Sequence, residues 1–315
     1  MTVVDPYSEF ASVYDRWQWL HAAPFSTAMI LRMEQALEEW GVPERSLMDL
    51  ACGTGTLARW WSEEHPDWMI RGVDRSAEMI ERARSGDGHR PFRGPGGETA
   101  HAVPATRGER AGKARTKPKT TKAPKTTPRD ATDPVFEVQD ITRLSTETRF
   151  GMVTCFFDSM NHITRRQDLS RLLVGARKSL LPNGLFLFDL IDEDSFEEIF
   201  SSPWIVQDDD LYVGSETQHF FRGDAEYGRV RYTFFGREPR ERQPGRTGAS
   251  RSGVGGGSHW ARRDAEILER CWRREEFDPM VEDAGLEVIH VQLIDPEEQA
   301  EVFVPRRLYV CTPTR

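Results

Sequence analysis

The chain has 315 residues, 42 Lys and Arg against 51 Asp and Glu for a net charge of −9, and 38% hydrophobic content. That length supports one large domain or two small ones, and the acidic balance argues against a polynucleotide as the main partner. No early run reads as a signal peptide and nothing approaches the roughly 18 uninterrupted apolar residues of a membrane span, so a cytoplasmic protein is expected.

Residues 8–21 place Phe10, Val13 or Tyr14, Trp17 and Leu20 on one helical face. A second helix is expected from Pro24 to Trp40, with Met29, Met33, Leu37 and Trp40 at helical spacing and Gly41 as its stop. This aromatic stripe reads either as core packing or as a lid over a ligand. Next, Leu47-Met48-Asp49-Leu50 forms an apolar strand that runs into the turn Ala51-Cys52-Gly53-Thr54-Gly55 and then an amphipathic segment over 57–65. Gly53 and Gly55 permit positive φ and let a ligand lie against bare peptide groups, which makes a nucleoside cradle. The spacing Gly53-x-Gly55-x-x-Ala58 is also that of a dinucleotide-binding turn, so an NAD-dependent oxidoreductase stays open at this point. Asp49, inside the strand, needs hydrogen-bond partners, either amides of the turn or a cationic ligand. Asp74 closes the next apolar run about twenty residues on, where a carboxylate can take both hydroxyls of a ribose.

Ser76 caps a helix over 77–84 with Met79, Ile80 and Ala83 on one side. Residues 86–133 then carry eleven basic against five acidic residues and almost no large apolar ones, so a disordered insertion, dispensable for folding, is expected there. Its alternative is a basic arm for RNA. Strands follow at 135–140, ending on Asp140, and at 151–158, a continuous apolar run typical of a strand covered on both faces. Ser159-Met160-Asn161-His162-Ile163 stands directly after it, then a helix over 169–181, the turn Pro182-Asn183-Gly184 and a fifth strand over 185–189. Alternating segments at 211–221, 229–235 and 264–271 suggest antiparallel strands, with a Gly/Arg/Ser-rich disordered loop at 236–258. A helix over 274–284 and strands over 286–294 and 307–311 complete the chain. Cys52, Cys155, Cys271 and Cys311 are far apart, which favours buried thiols over disulfides or a metal site.

The pattern Asp49-x-Ala51-x-Gly53-x-Gly55 resembles motif I of the class I S-adenosylmethionine-dependent methyltransferases, with Ala51 at the first glycine. The strand ending Phe157-Asp158-Ser159-Met160-Asn161-His162, the Leu181-Pro182-Asn183-Gly184 turn and the segment 268–277 resemble small-molecule members of that class, with Asn183 where the turn often has its first glycine. The resemblance implies an α/β fold: a mainly parallel, Rossmann-like, seven-stranded sheet with helices on both faces plus a small antiparallel β lid. It implies a helical lid at 1–45 and a core at 46–200. It also implies an antiparallel insertion at 201–272 that walls the acceptor, and a last helix with terminal strands at 273–315. By the same resemblance the cofactor is S-adenosylmethionine, held by Asp49, Ala51, Gly53, Thr54, Gly55, Asp74, Arg75, Met79, Asp140, Ile141 and Phe157. Tyr14 covers the sulfonium, Asp158 borders the methyl group, and Asp158 or His162 is an optional general base. The expected partner is a small-molecule acceptor enclosed by aromatic side chains including Tyr14, Trp17, Trp19, Trp204, Tyr212 and Phe220; the acceptor atom and the oligomeric state stay open. The alternatives are the oxidoreductase and an RNA-directed or non-catalytic protein that uses the basic insertion.

Overall fold

The computed structural model describes residues 7–8, 11–86, 133–239, 258–294 and 304–314. Within them the chain runs α1 (Tyr14–Trp40), β1 (Ser46–Leu50), α2 (Thr56–Glu64), β2 (Met69–Asp74), α3 (Ala77–Ser85), β3 (Val135–Val138), β4 (Phe150–Cys155), α4 (Arg166–Ser179) and β5 (Leu180–Ile191). It continues through α5 (Phe196–Ser201), β6 (Ile205–Gln207), β7 (Leu211–Arg222), β8 (Ala225–Pro239), β9 (Ser258–Arg270), α6 (Arg274–Asp283), β10 (Leu286–Ile294) and β11 (Arg306–Pro313).

Every residue of β1 and β4 is buried, as a strand covered on both faces requires. Successive side chains point to opposite faces, so Met48 and Leu50 join one apolar cluster with Leu169 and Leu172 of α4 and Phe277 of α6. Leu47 joins the other, with Met29 and Met33 of α1, Trp61 of α2 and Ile80 of α3. The resulting sheet has the order β10-β11-β5-β4-β1-β2-β3. Strands β1 to β5 pair in parallel, and β11 is antiparallel to both its neighbours. Going outward from β1 the chain proceeds to β2 and β3 on one side and to β4 and β5 on the other. That reversal opens a crevice at the carboxyl ends of β1 and β4, the usual place for a ligand in such a sheet.

A second, four-stranded antiparallel sheet has the order β6-β7-β8-β9. Its Val213, Val230, Phe234 and Ile267 pack with Phe196 and Phe200 of α5 and with Trp17 and Leu20 near the start of α1. The expected α/β core and separate antiparallel sheet are therefore both present; the residues expected as a turn before the fifth strand lie within β5, at an irregularity of its pairing with β4 where Asn183 takes φ 62.

Three local expectations differ from what is observed. The two leading helices are one 27-residue helix, whose backbone continues through position 24; an interior proline removes one hydrogen bond without having to end the helix. Helix α4 ends at Ser179, and β5 begins immediately after it. The loop expected at 236–258 is shorter than its composition suggested, because β8 and β9 pair as far as Pro239 and Ser258. Its remainder, 240–257, lies outside the described residues, as does the insertion apart from Gly86 and Asp133. All four cysteines are free thiols. No helix among the described residues is long and apolar enough to cross a membrane.

Candidate active site

The turn after β1 is built from left-handed residues: Ala51 at φ 55, Gly53 at φ 55 and Gly55 at φ 77. Ala51 holds this conformation with a Cβ, at a cost of roughly 1 kcal/mol. The two glycines serve different ends. A Cβ on Gly53 would meet only Tyr14 Cε1, at 3.6 Å, so its open side looks toward the cavity residue above it. A Cβ on Gly55 would lie 2.6 Å from the ring of Phe136 and 3.1 Å from Ala83 Cβ. Gly55 thus admits β3 and α3 rather than a ligand, and it is not among the cavity-lining residues. Gly55→Ala should destabilise the protein by ~2–4 kcal/mol, the sum of left-handed strain and overpacking against Phe136. A urea midpoint unchanged from the parent protein would show that β3 does not need this glycine.

A cavity of about 320 Å³ opens above the ends of β1 to β4. Of the residues expected from the sequence, Tyr14, Asp49, Ala51, Gly53, Thr54, Asp74, Arg75, Met79, Asp140, Ile141, Phe157 and His162 line it, whereas Gly55 and Asp158 do not. Asp74 is held from two sides: Oδ2 accepts from the Gly53 amide at 3.0 Å and Oδ1 from the Ser76 amide at 2.9 Å. Asp49 is not satisfied by the turn amides: that of Gly53 donates to Asp74, and those of Cys52 and Gly55 donate to the carbonyls of Val73 and Cys52. Its Oδ1 accepts from the Thr154 hydroxyl on β4 at 2.7 Å, a consequence of the Asp49–Thr154 register. Burial pushes the Asp49 carboxyl up to about 7; the Thr154 hydrogen bond opposes this and the Asp74 charge adds to it. Asp140 caps the short turn after β3, accepting from the Thr142 amide at 2.9 Å and its hydroxyl at 2.8 Å. Cys52 also lines the cavity, but burial, Asp49 and Asp74 push its thiol well up, so it stays protonated.

Helix α1 closes the cavity from above. Asp15 accepts a hydrogen bond from the Thr54 hydroxyl, which ties the helix to the glycine turn and leaves Tyr14 over Gly53. Tyr7, which the sequence did not single out, lines the same cavity, and its hydroxyl is 2.8 Å from His162 Nε2. Burial and then the Asp158 charge raise the Tyr14 hydroxyl above its ordinary range, so it stays neutral. Among the other expected aromatic residues, Trp17 and Trp204 meet at Tyr232. Tyr212 packs on Phe235 and Phe220 on Tyr227 within the antiparallel sheet, and none of these four lines the cavity. The side chain of Trp19 lies outside the described residues.

Asp158 faces Arg306. Its own backbone is left-handed (φ 50), directly after Phe157 (φ 61), and its amide donates to Asp189 Oδ2 at 3.0 Å. Arg306 Nη2 reaches Asp158 Oδ2 at 3.1 Å and Nη1 reaches Asp189 Oδ2 at 2.9 Å. This buried group was not recognised from the sequence. Its one signal was the pair Arg306-Arg307 opening an otherwise apolar strand, since cations in such a run require buried carboxylate partners.

Residues 26–291 match the model of a family described as "Methyltransferase domain". "Putative methyltransferase YqeM" of Bacillus subtilis (strain 168) is 23% identical over 300 residues, covering 94% of this chain and 93% of that protein. A crystal structure described as an S-adenosylmethionine-dependent methyltransferase from Clostridium acetobutylicum ATCC 824 superposes with a TM-score of 0.63 at 21% identity, covering 99% of this chain and 100% of the other. The structure of CalS10 with SAM bound, described as an amino pentose methyltransferase from Micromonospora echinaspora, gives a TM-score of 0.54 at 15% identity and covers 96% and 95% of the two chains. These likenesses carry the fold, while the family match spans most of the sequence and sets aside the oxidoreductase reading that the glycine spacing allowed. The chain belongs to the methyltransferase domain family.

Proposed function

We propose that this methyltransferase moves the methyl group of S-adenosylmethionine onto a small molecule enclosed between the crevice, α1 and the antiparallel sheet. The observation that carries the reading is the acidic lining: Asp49, Asp74 and Asp140 face one cavity whose floor is the bare Gly53. That donor and acceptor set fits a ligand with a positive ammonium, a positive sulfonium and a pair of ribose hydroxyls. The cofactor, once bound, supplies a methyl group already activated for in-line displacement, so the protein's task is positioning and exclusion of water.

Asp74, pinned by the Gly53 and Ser76 amides, keeps lone pairs for the ribose. Asp140 and Ile141 border the adenine, and Asp49 lies toward the cationic end. Arg75, Met79 and Thr54 complete that wall. Tyr14 covers the sulfonium, and Phe157 and His162 close the reacting end. His162, oriented by Tyr7, can receive a proton there. Asp158 is a positioning residue that aims Arg306. Residues 1–45 act as the lid, 46–200 and 273–315 as the core, and 201–272 as the acceptor wall. The solved structure of CalS10, an enzyme on a small sugar, shares this fold and supports a small-molecule acceptor.

Asp74→Ala should weaken S-adenosylmethionine binding at least about tenfold, through the loss of one or two charge-assisted hydrogen bonds. Titration calorimetry on parent and variant, with melting curves as a control, checks this. Equal affinity in the two proteins, or binding of NAD instead, overturns the reading.

A further inference from the structure

The loop after β4 borders the cavity with a backbone that needs outside support. Phe157 and Asp158 are consecutive left-handed residues, at φ 61 and φ 50, and neither is a glycine. Such a conformation persists only where the surrounding contacts over-determine it. Phe157, Ser159, His162 and Ile163 of this loop line the cavity. Asn161 stands among them, fully buried and outside the lining itself. Its Oδ1 accepts from the amide of Ile191, the last residue of β5, at 3.1 Å. Its Nδ2 donates to the carbonyl of Arg270, the last residue of β9, at 2.9 Å. The Arg270 amide donates back to the Asn161 carbonyl at 2.8 Å, and Arg270 Nη1 reaches the Thr164 carbonyl at 3.4 Å. A single carboxamide on the loop therefore bonds both to the main sheet and to the antiparallel sheet.

On the reading above, the main sheet holds the cofactor and the antiparallel sheet walls the acceptor. The separation of the two reactants then depends on how the sheets are fastened together. An in-line displacement tolerates little error, since a shift of about 1 Å can cost on the order of 10²-fold in rate. Apolar side chains packed between sheets leave room for sliding, whereas directed hydrogen bonds from one planar group fix both spacing and angle. We propose that Asn161 is a positioning residue for methyl transfer: it fastens the end of β9 to the end of β5 and so sets the approach of the acceptor to the methyl group. It acts through Arg270 and through the neighbouring His162, and it touches neither reactant. The inference rests on the small-molecule methyltransferase reading and adds a residue to it. Its signature is a loss of rate with binding intact, because none of the cofactor contacts assigned above is made by Asn161, Ile191 or Arg270.

The test uses the purified full chain, saturating methyl-labelled S-adenosylmethionine and a dilution series of a small-molecule cell extract, which gives a plateau rate and a half-saturating dilution. Asn161→Ala deletes both side-chain bonds. Asn161→Gln keeps every donor and acceptor but displaces them by one methylene, so it separates correct placement from mere satisfaction of buried groups. In each variant the plateau rate should fall at least about tenfold, while the half-saturating dilution and the calorimetric affinity for S-adenosylmethionine stay within about threefold of the parent. A folded variant of either kind whose plateau rate stays within about threefold of the parent overturns the proposal. So does a loss of cofactor affinity as large as the loss of rate, or failure of both variants to fold, since either result makes Asn161 structural. Where one variant alone folds, its plateau rate decides. A parent protein that binds the cofactor yet labels nothing in the extract overturns the small-molecule reading and this inference with it, whereas the failures confined to the variants leave that reading standing.

Discussion

Arg306→Ala should destabilise the protein by about 3–5 kcal/mol, more than an average core truncation, because it strands buried carboxylates rather than merely deleting a contact. Asp189 is fully buried and already carries one orphan oxygen; without Nη1 its other oxygen keeps only the Asp158 amide. Asp158, in a left-handed turn beside the cavity, would lose Arg306 as well. Burial holds the Asp189 carboxyl at about 6 even with the guanidinium present, so its removal would favour the neutral acid further. Chemical denaturation at pH 8 measures the loss. A ΔΔG below about 1 kcal/mol would mean that the guanidinium contributes little net energy.

Asp49→Asn should raise stability by roughly 2–4 kcal/mol at pH 8 and leave it unchanged near pH 4. In the native state the carboxyl titrates at about 7, against about 3.9 in an unfolded chain. Below the lower value both states are protonated and the group contributes nothing. Between the two, the native state holds the extra proton, so stability falls as pH rises and the full penalty is present above about 7. An asparagine oxygen still accepts from Thr154 but carries no charge to desolvate. A cationic ligand next to Asp49 has the opposite effect: it lowers that pKa, releases a proton on binding, and makes binding of S-adenosylmethionine tighten from pH 5 to 8. Denaturation series at several pH values, and calorimetry in buffers of different ionisation enthalpy, read both effects. A variant whose stability profile keeps the parent's slope would sink this account.

What could be read in the sequence was whatever depends on neighbours along the chain. The turn from Asp49 to Gly55, Asp74 at the end of β2 and Asp140 at the end of β3 each announce themselves by local pattern, and the cavity assembles from them. The helix above the cavity was legible through its stripe of Tyr14, Trp17, Met29 and Met33, although Pro24 suggested a helix start where the backbone continues as one helix. The Asp158–Asp189–Arg306 group was not legible, because residues 117 apart in the chain meet only through β5–β11 pairing. Glu269 is hidden for the same reason: in sequence it is one more acid in an alternating strand, and only the fold shows that it is buried with its Oε2 lacking a hydrogen-bond partner. The purpose of Gly55 was likewise invisible, since Phe136 approaches it across two strands.

Strand β11, set antiparallel among parallel neighbours, also orders the events of folding. Strands β1 to β4 and the first residues of β5 can pair as soon as their crossover helices form. The outer edge of β5, with its apolar run Leu185-Phe186-Leu187-Phe188, stays unpaired until residues 306–313 arrive. Closing so long a loop costs entropy before any contact compensates it, so this edge is the last of the main sheet's interior to be covered. A long, flat, apolar edge is also the kind that captures a strand from another molecule. Prompt docking of β11 therefore decides between a completed main sheet and aggregation during synthesis or refolding.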